Sequence, residues 1–124
     1  MKTDLLGRRS TRWLPKTVHA VLLCLAFSSV SAVAETHEIE IKRMKFRTPL
    51  LTVNVGDTVV WVNKEYRQYH SVWFEQEGEP EPIDYLYPGD TYSRTFDQAG
   101  TYPYRCGPHP KMIGVIEVLG APAS

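Results

Sequence analysis

The chain has 124 residues, 43% of them apolar and 23% charged, with 14 basic side chains against 14 acidic ones. That length suits a single domain. The neutral balance hides an asymmetry: Lys2, Arg8, Arg9, Arg12 and Lys16 stand against Asp4 alone before residue 35, which leaves 9 basic and 13 acidic residues from Glu35 on, a net charge of −4. No basic stripe remains there, which argues against a nucleic-acid partner.

The first segment reads as a leader rather than as part of a domain. A basic start is followed by an apolar run from Val18 to Val30 and then by Ala32-Val33-Ala34, a small-x-small cleavage pattern, just before Glu35. That order describes a secretory signal peptide spanning residues 1–34. The apolar run is 13 residues, short of the roughly 20 that span a bilayer, so no stable membrane insertion is expected. Arg8-Arg9-Ser10 also fits a twin-arginine signal, so export by the Sec or the twin-arginine route is open. Cys24 lies in the apolar run after Leu22-Leu23, where lipid attachment would want small residues, and it is expected to leave with the leader.

Residues 35–124 form the expected single domain of 90 residues, with Cys106 as its one cysteine. An intramolecular disulfide is therefore impossible. A lone thiol in an oxidising compartment is expected to be buried, paired between chains or bound to metal. Thr36 to Lys42 alternates, with His37, Ile39 and Ile41 on one face, and predicts a half-buried strand. Met44 to Phe46 is expected to continue it, with Met44 and Trp61 in the core. Leu51 to Val55 is a second strand, closed by the turn signal Asn54-Val55-Gly56-Asp57. Thr58 to Asn63 is a third, rich in β-branched residues and expected to be central and covered on both faces. A polar connection leads to a short strand from His70 to Phe74. Glu75 to Asp84 is a loop with five acids and no base, expected to be solvated, with a docking patch for a basic partner as the alternative. Brief strands are expected at Tyr85–Tyr87 and Thr91–Phe96. Thr101–Cys106 and Met112–Leu119 complete the set. About seven short strands separated by turn signals, with no helical periodicity, predict an all-β antiparallel β-sandwich.

The chemistry gathers near the end. Cys106, His109 and Met112 stand at C-x2-H-x2-M spacing on a loop punctuated by Gly107, Pro108 and Pro110. Tyr102, Tyr104 and Cys106 share one strand face. Two soft sulfurs and an imidazole suit copper, and His70, opening its own strand, is the candidate fourth ligand. Two imidazoles and a thiolate near one plane, with a thioether on the axis, describe a blue-copper electron-transfer site. Zinc fits less well, because its sites rarely use Met and their Cys usually come in pairs. His37 is the competing ligand; it lies near the cleaved end and is read as solvated. The bland alternative is a surface His109 and a core Met112, and it does not explain the unpaired cysteine.

These residues carry a family resemblance. Gly100-Thr101-Tyr102-Pro103-Tyr104-Arg105-Cys106, then Gly107-Pro108-His109-Pro110-Lys111-Met112, resembles the small blue copper proteins, or cupredoxins, most of all their amicyanin, plastocyanin and pseudoazurin branches. Val53 to Asn63 and the His70 region are similar to the family's upstream half. The resemblance implies a Greek-key β-sandwich holding one type 1 copper through His70, Cys106, His109 and Met112. It also implies a monomer that passes single electrons between periplasmic redox proteins (a cytochrome, oxidase or dehydrogenase) and transforms no substrate itself. Copper storage, delivery or tolerance is the alternative. An oxidase would need further histidine-rich copper sites, which the three histidines after residue 34 do not supply.

Three positions depart from the family pattern. Ser71 stands where an Asn usually helps to fix the ligand loop. Lys111 replaces an aromatic residue before the Met ligand. Tyr69 replaces a frequent Pro. The edge of His109, flanked by Pro108 and Pro110, is the expected electron port, with Tyr69 and Lys111 beside it in the docking area.

Overall fold

A computed structural model describes residues 33–120. The expected signal peptide, its twin-arginine pair and Cys24 lie outside the described residues, apart from Val33 and Ala34 at its end. Six strands form: β1 (Thr36–Ile41), β2 (Leu50–Asn54), β3 (Thr58–Asn63), β4 (Thr91–Thr95), β5 (Gly100–Arg105) and β6 (Ile113–Leu119). They make two three-stranded sheets, ordered β1-β3-β4 and β2-β6-β5. The all-β sandwich is as expected, but its pairing is mixed rather than wholly antiparallel. β1 pairs with β3 in parallel, and β2 with β6 in parallel, while β3–β4 and β5–β6 are antiparallel. Parallel neighbours need a long crossover. Here β2, placed in the opposite sheet, is part of the crossover between β1 and β3.

Side-chain alternation decides which faces meet. Ile39 and Ile41 of β1, Val59 and Trp61 of β3, and Ile116 and Val118 of β6 point inward and are buried. Trp61 is the centre of the core, packing edge-on against Phe74 and Tyr104 at ring separations of 6.1 and 5.3 Å. β3 is central in its sheet, as expected, but only one of its faces is covered. Val59, Trp61 and Asn63 are buried while Thr58, Val60 and Val62 are partly open. Two layers leave each sheet one solvated face, and β-branched residues tolerate that position for their strand propensity.

Met44 is the clearest reversal: it is 39% exposed. Lys42 N donates to Lys45 O, closing a turn in which Arg43 and Met44 take φ of 53° and 56°. This left-handed pair sends the Met44 side chain outward and returns Phe46, buried, to pair with Ile41.

The segments 70–74 and 85–87 are not full strands. Each is held by single bridges, His70 to Leu86 and Trp73 to Arg105. The acidic loop begins with a 3₁₀ turn at Glu75–Glu77 and is less free than expected. Arg94 stacks on Phe74 at 4.2 Å and pairs with Glu77, while Arg105 Nε donates to Glu75 at 2.7 Å and covers Trp73 at 4.3 Å. Arg105 is thus committed to the acidic loop.

Candidate metal centre

β5 delivers Cys106 and β6 starts just beyond Met112, so the ligand loop is the short connection of a hairpin. Two backbone bonds close it: Cys106 N donates to Met112 O at 2.9 Å, and Met112 N donates to His109 O at 2.9 Å. Gly114, opposite Tyr104 in the hairpin, is required there because a Cβ would collide with the Tyr104 ring. Burial pushes the Tyr104 phenol up to about 12, so it stays neutral beneath the loop.

His70 comes from a separate segment, the one whose Trp73 bridges Arg105 of β5. Its backbone exchanges both hydrogen bonds with Leu86, at 3.0 and 2.8 Å. Asn63, the buried last residue of β3, fixes the intervening loop. Its Nδ2 donates to Gln68 O and to Leu86 O, both at 2.8 Å. An Asn at a strand end looks like an ordinary turn residue in the sequence, so this role carries no local signal.

The loop and the His70 segment meet through Ser71. Ser71 N donates to Cys106 Sγ at 3.3 Å, and Gly107 N donates to Ser71 Oγ at 2.9 Å. The shorter hydroxyl therefore does bridge the two ligand segments. His70 Nδ1 stands 3.8 Å from Cys106 Sγ, and His109 Nδ1 stands 3.4 Å from it. The three donor atoms lie within 4.8 Å of one another. His70 and Cys106 are fully buried, Met112 is 4% exposed, and His109 is partly open to solvent. Burial, and then the neighbouring His109, hold the His70 imidazole below its ordinary value, with Glu65 acting the other way. A low value favours the neutral ring that a metal needs.

This set fits a metal ion on geometry and chemistry together. Two donors each about 2.0–2.3 Å from one ion at trigonal angles stand roughly 3.5–3.9 Å apart, close to the spacing seen here. A thiolate with two imidazoles, followed by a buried thioether residue, favours copper over zinc. Among the described residues His37 is not in this group. It is not solvated either: its Nε2 lies 3.0 Å from Asp57 Oδ2 and its side chain is 25% exposed.

The residues expected to form the docking area are arranged as follows. Tyr69 is 41% exposed and stacks with Tyr85 at 4.9 Å, with Tyr87 at 6.1 Å and with His109 at 6.2 Å. Pro110 and Lys111 are exposed and Pro108 is half-buried. Tyr85 and Tyr87 were not singled out in the sequence; only the fold brings them to Tyr69.

A two-sheet β-sandwich with Cys, His and His donors converging at the end of its last hairpin defines a copper-binding protein of the cupredoxin class. Residues 33–119 match the family described as copper binding proteins, plastocyanin/azurin family, and the chain belongs to that family. It is 42% identical over 83 residues to amicyanin of Paracoccus denitrificans, which covers 64% of this chain and 63% of that protein. It is 37% identical over 101 residues to amicyanin-alpha of Methylorubrum extorquens, covering 76% of this chain and 84% of that one. Plastocyanin of Scenedesmus fuscus is 38% identical over 73 residues, 52% of this chain and 74% of that one. Among solved structures, amicyanin from Paracoccus versutus superposes with a TM-score of 0.58 at 33% identity, covering 73% of this chain and 86% of that chain. A reduced proline-to-phenylalanine variant of amicyanin gives a TM-score of 0.60 at 36% identity, covering 68% and 82%.

Proposed function

We propose that this protein is a type 1 copper electron carrier in which His70, Cys106, His109 and Met112 hold the metal. The observation that carries the reading is the convergence of both Nδ1 atoms on Cys106 Sγ, at 3.8 and 3.4 Å, with only His109 open to solvent. Copper, when bound, would supply a one-electron couple between Cu(I) and Cu(II). The protein's part is to hold its donors in one arrangement for both states. Ser71, Asn63 and the closed hairpin do this through the hydrogen bonds given above, so little need move when the charge changes. The His109 edge is the port for electrons, and Tyr69, Pro108, Pro110 and Lys111 surround it as a docking area. Lys111 favours an acidic partner surface there. The partners are periplasmic redox proteins of cytochrome, oxidase or dehydrogenase type, and no substrate is transformed.

Residues 1–34 act as the export signal and residues 35–124 as the mature domain. Val33 and Ala34 are exposed and β1 begins at Thr36, so the domain loses no packing by ending its leader there. No helix among the described residues is long and apolar enough to cross a membrane. Storage or delivery is the weaker reading, because His70, Cys106 and Met112 are at most 4% exposed, which suits retention better than exchange.

The test is to add Cu(II) to residues 35–124 and record the visible spectrum. An intense thiolate-to-copper band is expected, bleached in Cys106→Ser with the far-ultraviolet spectrum kept, and restored through repeated reduction and oxidation. Absence of the band in the unaltered domain sinks the proposal. Rapid loss of copper to a mild chelator, with the band present, would move the function to copper delivery.

A further inference from the structure

One buried polar atom of the centre has no hydrogen-bond partner: Nε2 of His70, on the ring edge turned away from Cys106. Glu65 Oε1 stands 3.7 Å from it. The carboxylate is not there by accident of a loose loop. Its side chain is 14% exposed, and Oε1 accepts from Met44 N at 2.6 Å. Its backbone is fixed too, because Glu65 N donates to Asn63 Oδ1 at 3.0 Å. The Met44 N–H that reaches it comes from the 42–45 turn, where Arg43 and Met44 both take left-handed backbone conformations. Such conformations are uncommon for long side chains. They tend to persist where the surrounding structure needs what they present.

We propose that Glu65 is the positioning residue of His70, clamped by the Arg43–Met44 turn so that its carboxylate faces Nε2, keeps the ring proton on that nitrogen and leaves Nδ1 free toward Cys106. The inference rests on His70 being a copper ligand. A carboxylate behind a ligating imidazole fixes its tautomer and ring orientation and makes it a stronger donor. Stronger imidazole donation favours Cu(II) over Cu(I). Glu65 therefore holds the reduction potential down while touching no metal itself.

Glu65→Gln separates this role from simple bracing. The amide oxygen can still accept from Met44 N, so the turn is kept, while the charge behind His70 is removed. Expected results are an apo protein with an unchanged melting temperature, and a copper form with a higher potential and weaker Cu(II) binding. Loss of such an outer partner typically costs about 10–100-fold in affinity. A tenfold loss confined to Cu(II) raises a one-electron potential by about 59 mV. Nitrogen NMR of the apo protein gives a reading independent of copper. His70 should carry its proton on Nε2 in the unaltered chain, and Glu65→Ala should mix the tautomers. The inference is overturned if Glu65→Gln binds Cu(II) within twofold of the unaltered protein at an unchanged potential. A His70 proton on Nδ1 in the apo protein overturns it as well. If the unaltered protein shows no thiolate-to-copper band, it is the copper reading that has failed, and the NMR tautomer then decides the Glu65–His70 contact by itself.

Discussion

Replacing Ser71 with Ala removes one oxygen from the point where the two ligand segments meet. Ser71 is 1% exposed and its Oγ accepts from Gly107 N at 2.9 Å. The alanine leaves that N–H buried without a partner, at a cost of about 1–3 kcal/mol. For a domain of this size each 1 kcal/mol lowers the melting temperature by roughly 4–8 °C. A fall of about 5–15 °C is therefore expected, measured on apo protein because bound copper would add its own stabilisation. The bond from Ser71 N to Cys106 Sγ belongs to the backbone and survives, so the visible copper band should keep its position. Ser71→Thr, which retains the hydroxyl, should recover part of the loss. A melting temperature within about 2 °C of the unaltered apo protein would refute the reasoning, since the Gly107 N–H would then not depend on Ser71.

Other outcomes follow from single contacts. Gly114→Ala drives a methyl group into the buried Tyr104 ring, and overpacking of this kind costs about 1–3 kcal/mol, readable as a lower midpoint in urea. Asp57 accepts from Glu35 N, Asn54 N and His37 Nε2, and these bonds hold its carboxyl below the usual 3.8. A depressed carboxyl stabilises the fold above that value, and the stability is lost as pH falls through the lower folded value. Asp57→Asn should flatten that acid slope in denaturation curves taken between about pH 5 and 2. A domain beginning at Glu35 presents an α-ammonium where its amide now meets Asp57 Oδ1 at 2.8 Å. It should melt higher than one beginning at Val33, since charged hydrogen bonds exceed neutral ones by about 1 kcal/mol; equal melting temperatures would rule this out. His37→Ala should leave the copper spectrum unchanged, and a bleached band would restore His37 as a ligand.

Much of the centre was legible because its signals are local. C-x2-H-x2-M spacing on a Pro- and Gly-punctuated loop is a property of seven consecutive residues, and strand alternation in β1, β3 and β5 follows from the two-residue period of a pleated chain. The unpaired Cys106 likewise needed only counting. What those patterns cannot carry is which distant segments meet. Met44 looked like core because methionine usually is, yet a left-handed turn set by neighbouring backbone bonds points it outward. The parallel pairs β1–β3 and β2–β6 depend on which sheet β2 joins, a choice made by packing across the sandwich. His70 was the expected fourth donor and His37 its competitor. Asp57 takes His37, and the burial of His70 against Cys106 sets it in the centre. Residue spacing alone thus determined the donor chemistry of the loop. The fold alone brought the His70 segment against that loop, joined the two through Ser71 and set the Glu65 carboxylate behind His70. The reason is distance along the chain: Ser71 lies 35 residues from Cys106 and Met44 lies 21 from Glu65, so each pair meets only once the chain has folded.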